Sequence, residues 1–370
     1  MKFDGWMLWA DSPDSDATWT RGTWLIENGR IVADAGGLAP TFRGYAVPGL
    51  IDIHCHIGIG AKGPIDRADQ LRQVRQTVNS GVLAIRDCGT PRDNSWIQDE
   101  PLAPILIRCG QHLARPKRYI RGLPVDVDDP KDLPSHVAAQ ASRSDGWVKI
   151  VGDWIDRSQG ADADLAPLWP RSVLVDAVQA AHDAGARVAV HAFSHVVIDD
   201  LLEAGVDDIE HGTGLDADQA QEVAARGILV TPTLRQVELF NDFAAQAGEK
   251  YPRYGQTMNA MYRNRREHFA MLADSGVTLT MGTDSGGYQD HGTIAKELEL
   301  WVEYGASPSS VIDAATWRTR ARMYLPSLFD GACADLVVYD EDPRSDIRRM
   351  RRPGVVVRNG VIVAENTPSC

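Results

Sequence analysis

The stretch Ala46-Val-Pro-Gly-Leu-Ile-Asp-Ile-His-Cys-His56 is an apolar run that closes on two imidazoles one residue apart. Successive side chains of a strand point to opposite faces, so His54 and His56 share a face and Cys55 looks the other way. Two neutral imidazoles a pleat apart can grip one metal ion. A half-buried strand carrying two histidines by accident would read the same way, and only the rest of the chain separates the two readings.

Counting 47–57 as the first, eight apolar runs follow one another, the others lying at 82–88, 104–110, 147–151, 187–192, 206–211, 228–233 and 277–284. Helical patterns stand between them, for example at 172–184, 199–204, 258–273 and 293–304, and several end at a glycine such as Gly185, Gly205, Gly227 or Gly305. This alternation argues for parallel βα units, and eight of them predict an α/β fold, a (β/α)8 TIM-like barrel over 47–327. Three connections are long, at 111–134, 152–170 and 234–256. After the strands of a barrel, loops of that length form walls or lids at the active-site face.

Both ends of the chain read as β structure. Thr23-Trp-Leu-Ile-Glu-Asn-Gly-Arg-Ile-Val32 pivots on Asn28-Gly29, and Val355-Val-Val-Arg-Asn-Gly-Val-Ile-Val363 pivots on Asn359-Gly360, residues that tolerate the positive φ of a tight hairpin. A two-stranded ribbon is marginal in water by itself, so the two ends are expected to join into one small β-sandwich domain, discontinuous in sequence, from 1–46 and 328–370.

Composition narrows the function. The 370 residues are 44% hydrophobic and 24% charged, which suits a folded soluble chain with a sizeable core. A formal net charge of −13, with no long Lys/Arg stripe, speaks against nucleic acid as a partner. Met1-Lys-Phe-Asp-Gly5 opens no signal-peptide pattern and no apolar segment is long enough to span a bilayer, so a cytoplasmic protein is expected, with no membrane association. The five cysteines, at 55, 88, 109, 333 and 370, are scattered and include no Cys-x-x-Cys, which argues against a disulfide frame or a thiolate zinc knuckle. Any metal is left to histidine, carboxylate or lysine. Ten tryptophans leave room for a homo-oligomer interface.

The C-terminal end of each strand carries the chemistry of a barrel enzyme. Here the first run ends with His54 and His56, the fourth with Lys149, the fifth with His191, the sixth with His211 and the eighth with Asp284. Each is a candidate metal ligand or metal-linked acid or base, and each stands where its run gives way to glycine or a polar turn, as in Ile209-Glu-His-Gly212 and Met281-Gly-Thr-Asp-Ser-Gly286.

With these motifs the chain resembles the amidohydrolase superfamily of metal-dependent hydrolases over nearly its whole length. Pro48-Gly-Leu-Ile-Asp-Ile-His-Cys-His56 is similar to the family's strand-one signature, and Gly331-Ala-Cys-Ala-Asp-Leu-Val-Val338 to its C-terminal return strand. Val148-Lys-Ile150, Val190-His-Ala192, Ile209-Glu-His-Gly212 and Gly282-Thr-Asp-Ser285 resemble most the prolidase and imidazolonepropionase-like branch. The resemblance implies two divalent metal ions, zinc foremost. His54, His56 and Asp284 would hold the more buried ion, His191 and His211 the more exposed one, and a carboxylated Lys149 would bridge both. It further implies attack by a metal-bridging hydroxide, with Asp284 as ligand and general acid/base.

The implied reaction on a small-molecule substrate is hydrolysis of a C–N amide bond in a dipeptide, an N-acyl amino acid or a cyclic amide. Lactone, ester or organophosphate hydrolysis would use the same dinuclear site. A mononuclear deaminase fits less well, because His195 stands where many family deaminases carry a glutamate; a non-catalytic barrel would not need the full ligand set. For substrate contacts the candidates are Arg115 in Arg115-Pro-Lys-Arg-Tyr-Ile-Arg121, Tyr119, Trp154, His195 and Arg235. Guanidinium groups above the site could fork onto a substrate carboxylate. His195 is equally well read as a helix-start residue beside the cap Ser194, Tyr119 and Trp154 as loop anchors, and Arg115 and Arg235 as solvated or ion-paired loop residues.

Overall fold

In the computed structural model, which describes residues 1–33 and 39–365, the barrel strands are β1 (Leu50–Cys55), β2 (Val82–Asp87), β3 (Ile105–Arg108), β4 (Trp147–Val151), β5 (Arg187–Ala192), β6 (Asp208–His211), β7 (Leu229–Thr231) and β8 (Thr278–Leu279). All pairings between them are parallel. The third barrel position is shared by two segments: β3, within the third apolar run, pairs with β2, and Leu113–Ala114, beyond that run, pairs with β4. The ring closes between β1 and the extended chain after β8, where Ile53 N donates to Met281 O at 2.9 Å, Asp284 N to His54 O at 2.7 Å and His56 N to Ser285 O at 2.8 Å.

Pleating sorts the side chains. On β4, Val148 and Ile150 join the outer core against Leu174 and Val178 of the helix Arg171–Asp183. Trp147 points inward, where Ile51, Ile53, Ala84, Ala189 and Leu229 fill the barrel floor. Each fully buried aliphatic side chain contributes roughly 1.5–3 kcal/mol, so these two apolar layers fix the strands on which the polar layer above them stands.

The connection 234–256 is not the open loop its sequence suggests. It folds into the helices Leu234–Glu238 and Phe240–Ala247, and the following helix, Pro252–Asp274, starts six residues before the periodic pattern. Phe240, Ala244 and Met258 pack on Phe193, so tertiary burial holds helices too short to show a clear period. The 152–170 segment carries a hairpin, Asp153–Ile155 with Leu165–Pro167.

The terminal strands form one seven-stranded sheet in the order Val361–Glu365, Val355–Arg358, Leu336–Tyr339, Phe42–Pro48, Lys2–Trp9, Thr18–Glu27, Arg30–Ala33. Its two ends are joined where Leu336–Tyr339 runs antiparallel to Phe42–Pro48. Asn28 and Gly29 (φ 50° and 77°) and Asn359 and Gly360 (φ 51° and 75°) make the two hairpin turns. Cys55, Cys88, Cys109 and Cys333 are free thiols, and Cys370 lies outside the described residues. No helix among the described residues is long and apolar enough to cross a membrane.

Candidate active site

The strand ends converge because their backbone departs from regular geometry. Between β1 and β2, Asp52 pairs with Ile85 and Cys55 with Asp87, so three steps on β1 match two on β2. This bulge lets Ile53 fill the barrel floor while His54 still turns into the cleft above it. His211 (φ 65°), Thr233 (φ 43°) and Asp284 (φ 55°) are non-glycine residues in the left-handed region at the tips of β6, β7 and β8. Such conformations cost of order 1–3 kcal/mol each and persist where the surroundings impose them. At β8 the approach is close: a Cβ on Gly282 would lie 2.4 Å from Thr231 Cγ2 and 2.7 Å from His54 Cβ.

Two donor sets result. His54 Nε2 and His56 Nε2 lie 3.2 and 3.4 Å from Asp284 Oδ1, and the donor atoms of these residues fall within 4.8 Å of one another. Beside them His191 Nδ1 and His211 Nε2 stand 2.9 Å apart, and the rings of His54 and His211 are 5.0 Å apart. Lys149, on the inward face of β4, lies in contact with Glu210.

Protonation suits ligation at Asp284 and at every one of these histidines but His56. Burial pushes His54 down to about 3, and it holds His191 and His211 well below the usual imidazole range, with Lys149 adding to the effect at both. At His56 burial is outweighed by Asp284, which raises it. Burial opposes ionisation of Asp284, but His54, His56 and His211 hold its carboxyl well below the ordinary range. Lys149 is lowered by burial to about 8.

Two of the four second ring nitrogens, on His56 and His211, are hydrogen-bonded, and a third faces a carboxylate. His56 Nδ1 is 2.9 Å from Gly89 O and so donates there, which leaves the Nε2 lone pair free. His211 Nδ1 is 2.6 Å from Thr233 Oγ1. His191 Nε2 faces Asp153 at 3.7 Å, a carboxylate fixed by the N–H groups of Phe193 and Ser194. Two imidazole Nε2 atoms that converge on one carboxylate oxygen, with two further imidazoles beside them, are the donor types that hold divalent ions, so these residues fit metal ions. A second cluster, His54, Cys88 and Glu210, already faces the cations Arg86 and Lys149 and does not.

Residues 45–363 match the sequence pattern of the amidohydrolase family. The chain belongs to the amidohydrolase family. An uncharacterized protein of Mycobacterium tuberculosis is 41% identical over 91% of this chain and 90% of its own length. Among solved structures, a Xaa-Pro dipeptidase with methionine in its active site matches with a TM-score of 0.79 at 23% identity, over 99% of this chain and 100% of that one. The ochratoxinase of A. niger matches with a TM-score of 0.80 at 18% identity, over 98% and 95%. At these identities the two structures speak for the fold, a barrel with an added sheet.

Above the donors the amidohydrolase carries a cavity of about 480 Å³ reached by His56, His191 and Asp284. Tyr119 and Trp154 line it, their rings 4.6 Å apart and 5.7 and 5.4 Å from that of His191. Three other sequence candidates do not line it. Arg235 bonds Thr293 behind the end of β7, His195 is exposed with Nδ1 3.0 Å from Gly214 O at the start of a 3-10 turn, and Arg115 is half-buried in its loop. The cations at the mouth are Arg121 and Arg157. His112 and Glu210 are not among the candidates that the sequence singles out. His112 is buried, lines the cavity, and neither of its ring nitrogens has a partner among the described residues. Its only sequence signal was its place just after a strand.

Proposed function

We propose that this amidohydrolase cleaves a C–N amide bond of a small molecule in the cytoplasm, with two divalent ions, zinc foremost. His54, His56 and Asp284 would hold one, His191 and His211 the other, and Lys149, carboxylated, both. The observation that carries this reading is the pair of adjacent donor sets, with His191 Nδ1 and His211 Nε2 2.9 Å apart next to the trio around Asp284 Oδ1. When bound, the ions would supply Lewis acidity to a carbonyl oxygen and lower the pKa of water towards neutrality.

The chain's own groups complete the chemistry. Asp284, ionised and reaching both strand-one imidazoles, takes the proton of the attacking water and returns it to the leaving nitrogen. Lys149, lowered to about 8, has a fraction of neutral amine at physiological pH, the form that reacts with carbon dioxide. His112 offers a donor to a substrate oxygen in the cavity. Tyr119, Trp154, Phe243 and Tyr254 give the cavity aromatic walls, Arg121 and Arg157 stand at its mouth, and Asp284 is its acidic residue. This favours an amide with an apolar or aromatic body and a carboxylate, such as an N-acyl amino acid or a dipeptide, and agrees with the dipeptidase among the similar structures.

Metal analysis of the purified protein, with an assay panel of N-acyl amino acids, dipeptides, cyclic amides, lactones and phosphotriesters, tests the reading. We expect two zinc ions per chain, amide turnover, and loss of both metal and activity in Lys149→Ala. A chain without metal, or Lys149→Ala with full activity, sinks the dinuclear site. Turnover confined to lactones or phosphotriesters moves the assignment to ester chemistry, and ammonia release with one metal per chain to deamination.

A further inference from the structure

Beneath the donors lies a buried charged layer that takes no part in the steps above. Arg86, with no exposed surface, stacks over the Trp147 ring at 4.3 Å and donates from Nε to Ile53 O at 2.8 Å. Its Nη2 donates to Asp208 Oδ2 at 2.5 Å and to Glu210 Oε1 at 3.2 Å. Asp208 also receives the Thr231 hydroxyl at 3.0 Å. Glu210 is only half satisfied. Its Oε1 takes Arg86 and the Cys88 thiol, the latter at 3.1 Å, whereas Oε2 faces upward, in contact with Lys149 Nζ and 3.7 Å from His54 Nδ1. None of these three atoms, Glu210 Oε2, Lys149 Nζ and His54 Nδ1, has a well-formed hydrogen bond among the described residues. Leaving one buried polar atom unpaired costs about 1–3 kcal/mol. Three that converge on one point, one acceptor and two donors, complete one another.

We propose that Glu210 is a positioning residue for the centre: anchored through Oε1 on Arg86 and Cys88, it accepts through Oε2 from His54 Nδ1–H and from a hydrogen on Lys149 Nζ. The inference rests on the dinuclear reading above. With its Nδ1 hydrogen turned to Glu210, His54 presents the Nε2 lone pair beside Asp284. The Lys149 nitrogen keeps an N–H both as an amine and when carboxylated, so one oxygen orients it in either form. The layer sets two carboxyl groups against the single guanidinium of Arg86, which favours N–H donors directly above.

Glu210→Gln gives a directional test. Arg86 is a donor only, so it holds the glutamine oxygen at the Oε1 position and sends the NH2 towards His54, which must then accept at Nδ1 and carry its hydrogen on Nε2. We would record 15N NMR spectra of histidine-labelled full-length protein, as purified and after chelation, assign His54 by its loss in His54→Gln, and titrate each protein with zinc. The expected result is the Nδ1–H tautomer in the wild type, the Nε2–H tautomer in Glu210→Gln, and zinc affinity lowered roughly 10- to 100-fold in a variant that still unfolds cooperatively. Glu210→Ala, should it fold, loses the single tautomer. A Glu210→Gln protein that keeps His54 as Nδ1–H overturns the proposal. If the wild type takes up no zinc, the dinuclear reading fails instead, and the change of the His54 tautomer between the metal-free wild type and metal-free Glu210→Gln still decides the role of Glu210.

Discussion

Asp284 carries the most demanding combination of constraints of any single residue in the cleft. Its backbone sits at φ 55°, its N–H bonds His54 O at 2.7 Å, and its carboxylate reaches both strand-one imidazoles. An aspartate tolerates the left-handed region better than most residues, and asparagine does so equally. Asp284→Asn should therefore keep the turn and the fold while removing the group proposed to move the proton. We expect kcat/KM to fall by about 10²- to 10⁴-fold with a thermal midpoint close to wild type. Steady-state kinetics on the best substrate of the panel would measure this, and activity within tenfold of wild type would take Asp284 out of proton transfer.

At the scale of elements, the walls of the cavity depend on two clamps. Arg118 Nη2 donates to Trp154 O and to Ala166 O, both at 3.1 Å, which ties the 115–121 segment to the 153–167 hairpin and holds Tyr119 over His191. Two charge-assisted bonds on a half-exposed side chain are worth about 1.5 kcal/mol after solvent screening, so Arg118→Ala should raise KM about 10-fold with a smaller change in kcat. An equal loss in kcat at unchanged KM would count against a wall that serves only binding. The second clamp is Glu297 on the helix Ile294–Glu303, which accepts from Leu234 N, Arg235 N and the Trp301 indole at 2.7–2.8 Å. Burial raises Glu297 from 4.5 to about 7. The folded chain thus binds this proton more tightly than the unfolded one. Its stabilisation is present in full below pH 4.5 and is lost as the pH rises through 7, a change on the order of 3 kcal/mol. Denaturant melts of wild type and Glu297→Gln between pH 4.5 and 8 should show the variant gaining relative to wild type as pH rises; parallel curves would refute it. The strands were legible because glycines punctuate their apolar runs: 147–151, between Gly146 and Gly152, coincides with β4, and 187–192, just after Gly185, with β5. The convergence of His54, His56, Lys149, His191, His211 and Asp284 in one cleft was legible because they stand at the ends of those runs. The clamps were not, because Arg118 and Glu297 act across 36 to 63 positions of sequence, and the bulge at 52–55 and the positive φ of Asp284 leave no mark in residue periodicity.

For the molecule as a whole, the terminal sheet is woven into the barrel and is not an appendage. Leu336–Tyr339 lies between Phe42–Pro48 and Val355–Arg358, and Gly44, at φ 130°, passes so close to it that a Cβ would meet Tyr339 O at 2.2 Å. Val337, Tyr339 and Val356 are at most 1% exposed and share one core with Leu50, Val82 and Leu298 of the barrel. Burying the two valines and the tyrosine contributes several kcal/mol, set against a typical net stability of about 5–15 kcal/mol. A chain ending at residue 330 would also leave Phe42–Pro48 as an unpaired apolar edge, a template for aggregation. We therefore expect the 1–330 fragment to lack a cooperative thermal transition and to aggregate, and the full chain to melt in one step in which barrel and sheet signals coincide. A soluble 1–330 protein that binds zinc and melts near the full-length midpoint would show that the barrel stands alone.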